Sequence, residues 1–289
     1  MILKDFYKGR PAIKLCDSML EAVFLPEDGA KLVSLKTKDG NELLAVSPGD
    51  KYKRLFIDSD YIKSECSAFD DMFPTIDPCT INGMNYLDHG EVCRREHSFK
   101  INGNSVDFEC KLTDLNIVYK KTVAIENGVL CIKYRIENRN SFEFPYIWAG
   151  HMMFKGEEGA AVIGGFTEKN YPVRVMFGNP PEGKKIGTLY EYGNKQYKYY
   201  YTQEISPMKC GIMYPQSKLC VTVETEGDHV KYLGVWMNPG DLNEMYNIAL
   251  EPCTALYDSP LNAKEAGAES ILNAEENVEF TLKIHYDVI

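Results

Sequence analysis

Residues 117–138 constrain this chain more than any other stretch. Polar and apolar side chains alternate over 117–125 (IVYKKTVAI), a turn follows at 126–128, and 129–138 (VLCIKYRIEN) run back. A period of two is the side-chain period of a pleated strand, so the stretch reads as an antiparallel hairpin. The same pattern recurs. Residues 30–38 (AKLVSLKTK) alternate, Asp39-Gly40 turns the chain, and 42–45 return. Residues 98–102 and 105–111 flank a third turn. Further extended runs lie at 19–25, 144–149, 211–214, 219–224, 232–236 and 280–286, filled with the β-branched and aromatic residues that half-buried pleated surfaces favour.

Helical pattern is scarce. The best window is 259–268, with Ser259 as N-cap, Pro260 at the first helical position and Gly267 near the end. Residues 178–201, rich in Gly, Pro, Lys and Tyr, read as long loops or loose hairpins. No linker composition and no fixed-period repeat appears. With 289 residues the chain can bury a large core. The expectation is an all-β protein, one domain over 1–289, built as two large packed antiparallel sheets.

The net charge of −10, with no Lys/Arg run of five or more, argues against nucleic acid as a partner. No stretch approaches the roughly 18 apolar residues of a membrane helix, so no membrane partner is expected. The nine cysteines form no CxxC pair, and several sit in apolar runs where Cys acts as a small hydrophobe. A reduced, cytoplasmic protein is the simplest account.

Three residues stand out for chemistry. Glu251 lies in 247–259 (NIALEPCTALYDS), where an apolar run leads into a carboxylate. Burial there raises its proton affinity toward the range of a general base; the plainer alternative is a glutamate that ends a strand. His151 is a polar residue within 146–154 (YIWAGHMMF), and a buried histidine needs a partner. His89, in Asp88-His89-Gly90-Glu91, has acids that can fix its tautomer and a glycine that permits close approach. The alternative for both is a histidine bonded for structure. His97, His229 and His285 read as structural, His97 on a solvated edge. Two histidines and one glutamate could hold zinc, but HExxH spacing is absent, and no metal is assigned.

With these residues in place, the chain resembles the galactose mutarotase-like (aldose 1-epimerase) family. The resemblance rests on 22–45, on 73–79 (FPTIDPC) followed by Asp88-His89-Gly90-Glu91, on 148–154, on 232–258 and on the closing strand 273–286, in that order. It implies a β-supersandwich of large twisted antiparallel sheets with a sugar cleft on one face. It also implies roles: Glu251 as the base that takes the anomeric proton, His151 as the acid at the ring oxygen, and His89 assisting there. An aldose is then the small-molecule partner, and neither cofactor nor metal is needed. Trp148 and Trp236 are candidates to stack on the sugar, Asp71 and Asp77 to bind its hydroxyls. A non-catalytic carbohydrate-binding protein on the same fold is the alternative, and a homodimer is left open.

Some family features are missing. No Asn-x-x-x-His pattern precedes His151, the nearest arginine upstream of the HG motif is Arg54, and Cys93 stands three residues after the motif's glycine. The family's substrate-gripping aspartate has no clear match. These departures mark an outlying subgroup and bear on the substrate rather than the fold.

Overall fold

In the computed structural model, which describes residues 1–289, the alternating segments pair as their turns dictate. Ile117–Glu126 and Val129–Asn138 form an antiparallel pair in register from Ile117↔Asn138 to Glu126↔Val129. It is the centre of an eight-stranded sheet, ordered Ala161–Ile163, Lys209–Tyr214, Leu219–Glu226, Asn277–Val288, Val129–Asn138, Ile117–Glu126, Ser105–Leu112, Ser98–Asn102. A ten-stranded sheet runs Ile2–Tyr7, Arg10–Cys16, Leu20–Leu25, Lys31–Thr37, Phe69–Met72, Ala149–Lys155, Tyr246–Cys253, Tyr232–Pro239, Tyr197–Tyr201, Val173–Phe177. Every pairing in both sheets is antiparallel.

The main core lies between the sheets, where Phe24 and Leu250 of the larger sheet join Ile132 and Leu282 of the smaller. A second apolar cluster, with Tyr61, Met153, Trp236 and Ala249, forms on the opposite face of the ten-stranded sheet. Loops cover that face, so its central strands are buried on both sides: Tyr232–Pro239 has no exposed residue. The helix expected from Ser259 is present as Pro260–Glu265, and the Ser259 hydroxyl accepts from the Asn262 N–H at 3.3 Å. No helix is long and apolar enough to cross a membrane. The expectation of loops over 178–201 needs correction at its end, since Tyr197–Tyr201 is a strand buried throughout.

His97 also departs from expectation. It is 1% exposed rather than solvated, with Nδ1 3.1 Å from the Arg95 carbonyl. Burial, aided by the Lys121 cation, pushes its imidazole down to about 3. The native state refuses a proton that the unfolded chain accepts below its ordinary pKa of about 6.5, so stability falls as pH drops from there toward 3. The slope due to this residue approaches about 1.4 kcal/mol per pH unit. Urea unfolding between about pH 4 and pH 7 is expected to show a flatter profile for His97→Gln than for the parent. Equal slopes would remove this assignment.

Candidate active site

Side chains alternate across a strand, and the strands Ala149–Lys155, Tyr246–Cys253, Tyr232–Pro239 and Tyr197–Tyr201 are neighbours. Their outward-facing positions bring His151, Glu251, Trp236 and Lys198 to one pocket of about 310 Å³ on the outer face of the sheet. Gly234 makes room for this. It pairs with Glu251 on one side and Tyr200 on the other, and a Cβ there would sit 2.8 Å from the Tyr200 ring.

His89 arrives from the covering loops. Its backbone is left-handed, φ +57°, as is that of Gly90, φ +72°. A Cβ on Gly90 would fall 2.3 Å from the Phe73 carbonyl oxygen, so only glycine lets the loop close so tightly. The His89 N–H donates to the Ile76 carbonyl at 2.6 Å. Its ring stacks on Tyr61 with centroids 3.9 Å apart, and the Tyr61 hydroxyl donates to Asp70 Oδ2 at 2.9 Å. Asp88 Oδ1 lies 2.9 Å from His89 Nδ1. Arg94 pins the same loop by donating to the Asp88 and Gly90 carbonyls at 2.7 and 3.0 Å.

Glu251 is 0% exposed. One oxygen, Oε2, is ion-paired with Lys198 Nζ at 2.8 Å and the other, Oε1, lies 3.7 Å from His151 Nε2; neither receives a hydrogen bond of good geometry. Burial raises the affinity of Glu251 for a proton, and the Lys198 ammonium opposes that. Burial has the opposite effect on His151, a base, and holds its imidazole neutral; the His89 and Lys198 charges push the same way. The two imidazole rings lie 6.1 Å apart and nearly perpendicular. A proton acceptor in a dry setting beside two imidazoles is suited to moving protons on and off a small polar ligand.

The structure sorts the substrate-binding candidates. Asp77 and Trp236 line the pocket, and Trp236 Nε1 donates to Gln196 Oε1 at 2.9 Å. Asp71 and Trp148 do not. Asp71 points between the sheets, where Lys121 Nζ lies 2.7 Å away and the Tyr134 hydroxyl donates at 2.8 Å. Trp148 packs in the same core on Tyr134 and Phe280 and donates from Nε1 to the Tyr119 hydroxyl at 2.9 Å. Arg54 is likewise committed, to Asp28 at 2.8 Å. Sequence reasoning missed Lys198, Asp258 and Tyr61, all of which line the pocket.

No protein-family profile matches the sequence, and no curated protein resembles it significantly. Solved structures do. A galactose mutarotase-like protein from Clostridium acetobutylicum superposes with a TM-score of 0.69 at 15% identity, over 100% of this chain and 99% of that one. A galactose mutarotase-like protein from Lactobacillus casei gives 0.65 at 18% identity, over 96% and 100%. An aldose epimerase homologue from C. elegans gives 0.64 at 11% identity, over 99% and 100%. Two large antiparallel sheets shared over the full length of these proteins identify the fold of this chain as galactose mutarotase-like.

Proposed function

We propose that the chain binds an aldose in this pocket and interconverts its α and β anomers by acid–base ring opening. The observation that carries the reading is Glu251, fully buried, with one oxygen ion-paired to Lys198 and the other 3.7 Å from His151. Glu251 takes the proton of the anomeric hydroxyl. The C1–ring oxygen bond breaks as an imidazole gives its proton to the ring oxygen. Rotation about C1–C2 and the reverse proton transfers close the ring on the other face. His151 enters neutral, so it serves as the N–H donor that steadies the ring oxygen. His89, whose Nδ1 lies 2.9 Å from Asp88 Oδ1, is placed to deliver the proton. Trp236 offers a face for the sugar's apolar side, and Asp77 and Asp258 offer acceptors for hydroxyls. All nine cysteines are free, which supports a reducing compartment. The sheet that carries the pocket runs from Ile2–Tyr7 to strands as late as Tyr246–Cys253, and the closing strand Asn277–Val288 lies in the sheet packed against it, which supports one working domain.

The carboxylates also select the substrate. Asp77, Glu251 and Asp258 line the pocket with a single lysine, and that lysine is already paired with two of them. A phosphate there would meet like charge, which costs several kcal/mol. Polarimetry or exchange NMR across free and phosphorylated hexoses and pentoses is expected to find acceleration for a free aldose at least about tenfold greater than for its phosphate. Saturable sugar binding with no acceleration for any aldose would overturn the catalytic reading and leave a binding protein.

A further inference from the structure

Glu251, His151 and His89 carry the proposed chemistry, and a buried lysine stands beside the base. Lys198 is 6% exposed, and burying an ammonium costs several kcal/mol unless it is paired. It is paired twice, with Glu251 Oε2 at 2.8 Å and with Asp258 Oδ1 at 2.6 Å. Asp258 is itself held. The Tyr200 hydroxyl donates to its Oδ1 at 2.8 Å, and its backbone carbonyl accepts from the Ile76 and Asp77 N–H groups at 3.0 and 2.7 Å. The chain Tyr200–Asp258–Lys198–Glu251 thus runs from the strand next to the sheet edge to the base at its centre. Lys198 distinguishes the two oxygens of Glu251, engaging one and leaving the other toward His151.

Resting on the proposed function, we infer that Lys198 is the positioning residue of the base: its ammonium pairs with one oxygen of Glu251 and leaves the other oxygen for the anomeric proton. The groups that act on Glu251 come from every neighbouring element. They are Lys198 and Tyr200 from one strand, His151 from another, His89 from the loop, and Asp258 and Cys253 from its own segment. Of these, Lys198 is the cation in direct contact, while Asp258 repels the charge of Glu251 and Tyr200 is a neutral phenol. Removing Lys198 therefore leaves a buried carboxylate that takes up a proton and cannot act as a base. Removing the charge of Asp258 frees the lysine to serve Glu251 alone.

The two changes move the acid limb of the pH profile in opposite directions. With Lys198→Met, the limb of kcat/KM is expected to rise by at least about one pH unit, giving a loss of about tenfold or more at low pH that recovers as pH rises. With Asp258→Asn it is expected to fall. Lys198→Arg, which keeps the cation, is expected to restore the limb toward the parent position, and Asp258→Asn carries the test should Lys198→Met fail to fold. Titration of ¹³C-labelled glutamate by NMR, with Glu251→Gln to assign the resonance, reads the same shifts without any substrate. A parent protein inactive on all aldoses thus overturns the proposed function, while the NMR titration still decides the role of Lys198. A Glu251 resonance that titrates at the same pH in parent, Lys198→Met and Asp258→Asn overturns the inference, and so does a pH profile that is scaled but not displaced.

Discussion

Replacement of Glu251 by glutamine is expected to slow anomer interconversion by about 10²–10⁴-fold and leave the fold intact. The amide has the shape of the carboxyl group, so the packing around this fully buried side chain persists. Lys198 keeps Asp258 as its partner at 2.6 Å, so no buried cation is left unpaired. On the proposed mechanism, what is lost is the basic carboxylate that receives the anomeric proton. Polarimetry on a responsive aldose measures the rate, and circular dichroism reports the fold. A glutamine variant as fast as the parent would remove Glu251 from the mechanism. A variant that still binds sugar but no longer turns it over separates binding from catalysis on one scaffold.

The second large effect concerns stability. Asp71→Ala is expected to destabilise the protein by about 3–5 kcal/mol, because it leaves the Lys121 ammonium buried without its anion. Both side chains of the pair are almost completely shielded from solvent, and Tyr134 loses its acceptor as well. The double variant Asp71→Leu/Lys121→Met, which removes both charges and keeps volume, is expected to recover most of the loss. Asp71 faces the space between the sheets, so the turnover of molecules that remain folded should match the parent. Denaturant unfolding and mutarotation rates together check this. Parental stability with weakened sugar binding would return Asp71 to the pocket.

The sequence foreshadowed elements whose pattern is one-sided. The hairpin over 117–138 alternates because the inner positions, Ile117, Tyr119 and Val123, are buried while Val118, Lys120 and Thr122 are less so. Ser259 signalled its helix because an N-cap is a local device. The chain's central strands carry no such mark. Phe69–Met72 is buried throughout, and Ala149–Lys155 is buried at every position but the last, so hydropathy does not say which face a residue takes. Asp71 and Trp148 were misplaced for that reason. Parity held a clue: in extended chain, Trp148 and His151 are an odd number of residues apart and must face opposite sides. Lys198 was hidden differently. It sits among four tyrosines in 197–201, next to a stretch that reads as loop, and the acids that justify its burial lie far along the chain. Pairing distant charges is a property of the fold, invisible in any local window.

The strand carrying Glu251 has a consequence for how the molecule comes into being. It lies in the middle of its sheet, bonded on one side to Ala149–Lys155, which in turn pairs with Phe69–Met72. The pocket therefore joins His89 and His151 to the segment 197–258, which carries Lys198, Trp236, Glu251 and Asp258, and loop-closure entropy must be overcome before these remote parts meet. Such non-local pairing slows folding, and the amides of that buried strand are expected to be among the last to exchange with solvent. The pocket is complete only once the distant strands of the sheet have paired, a kind of quality control built into the topology.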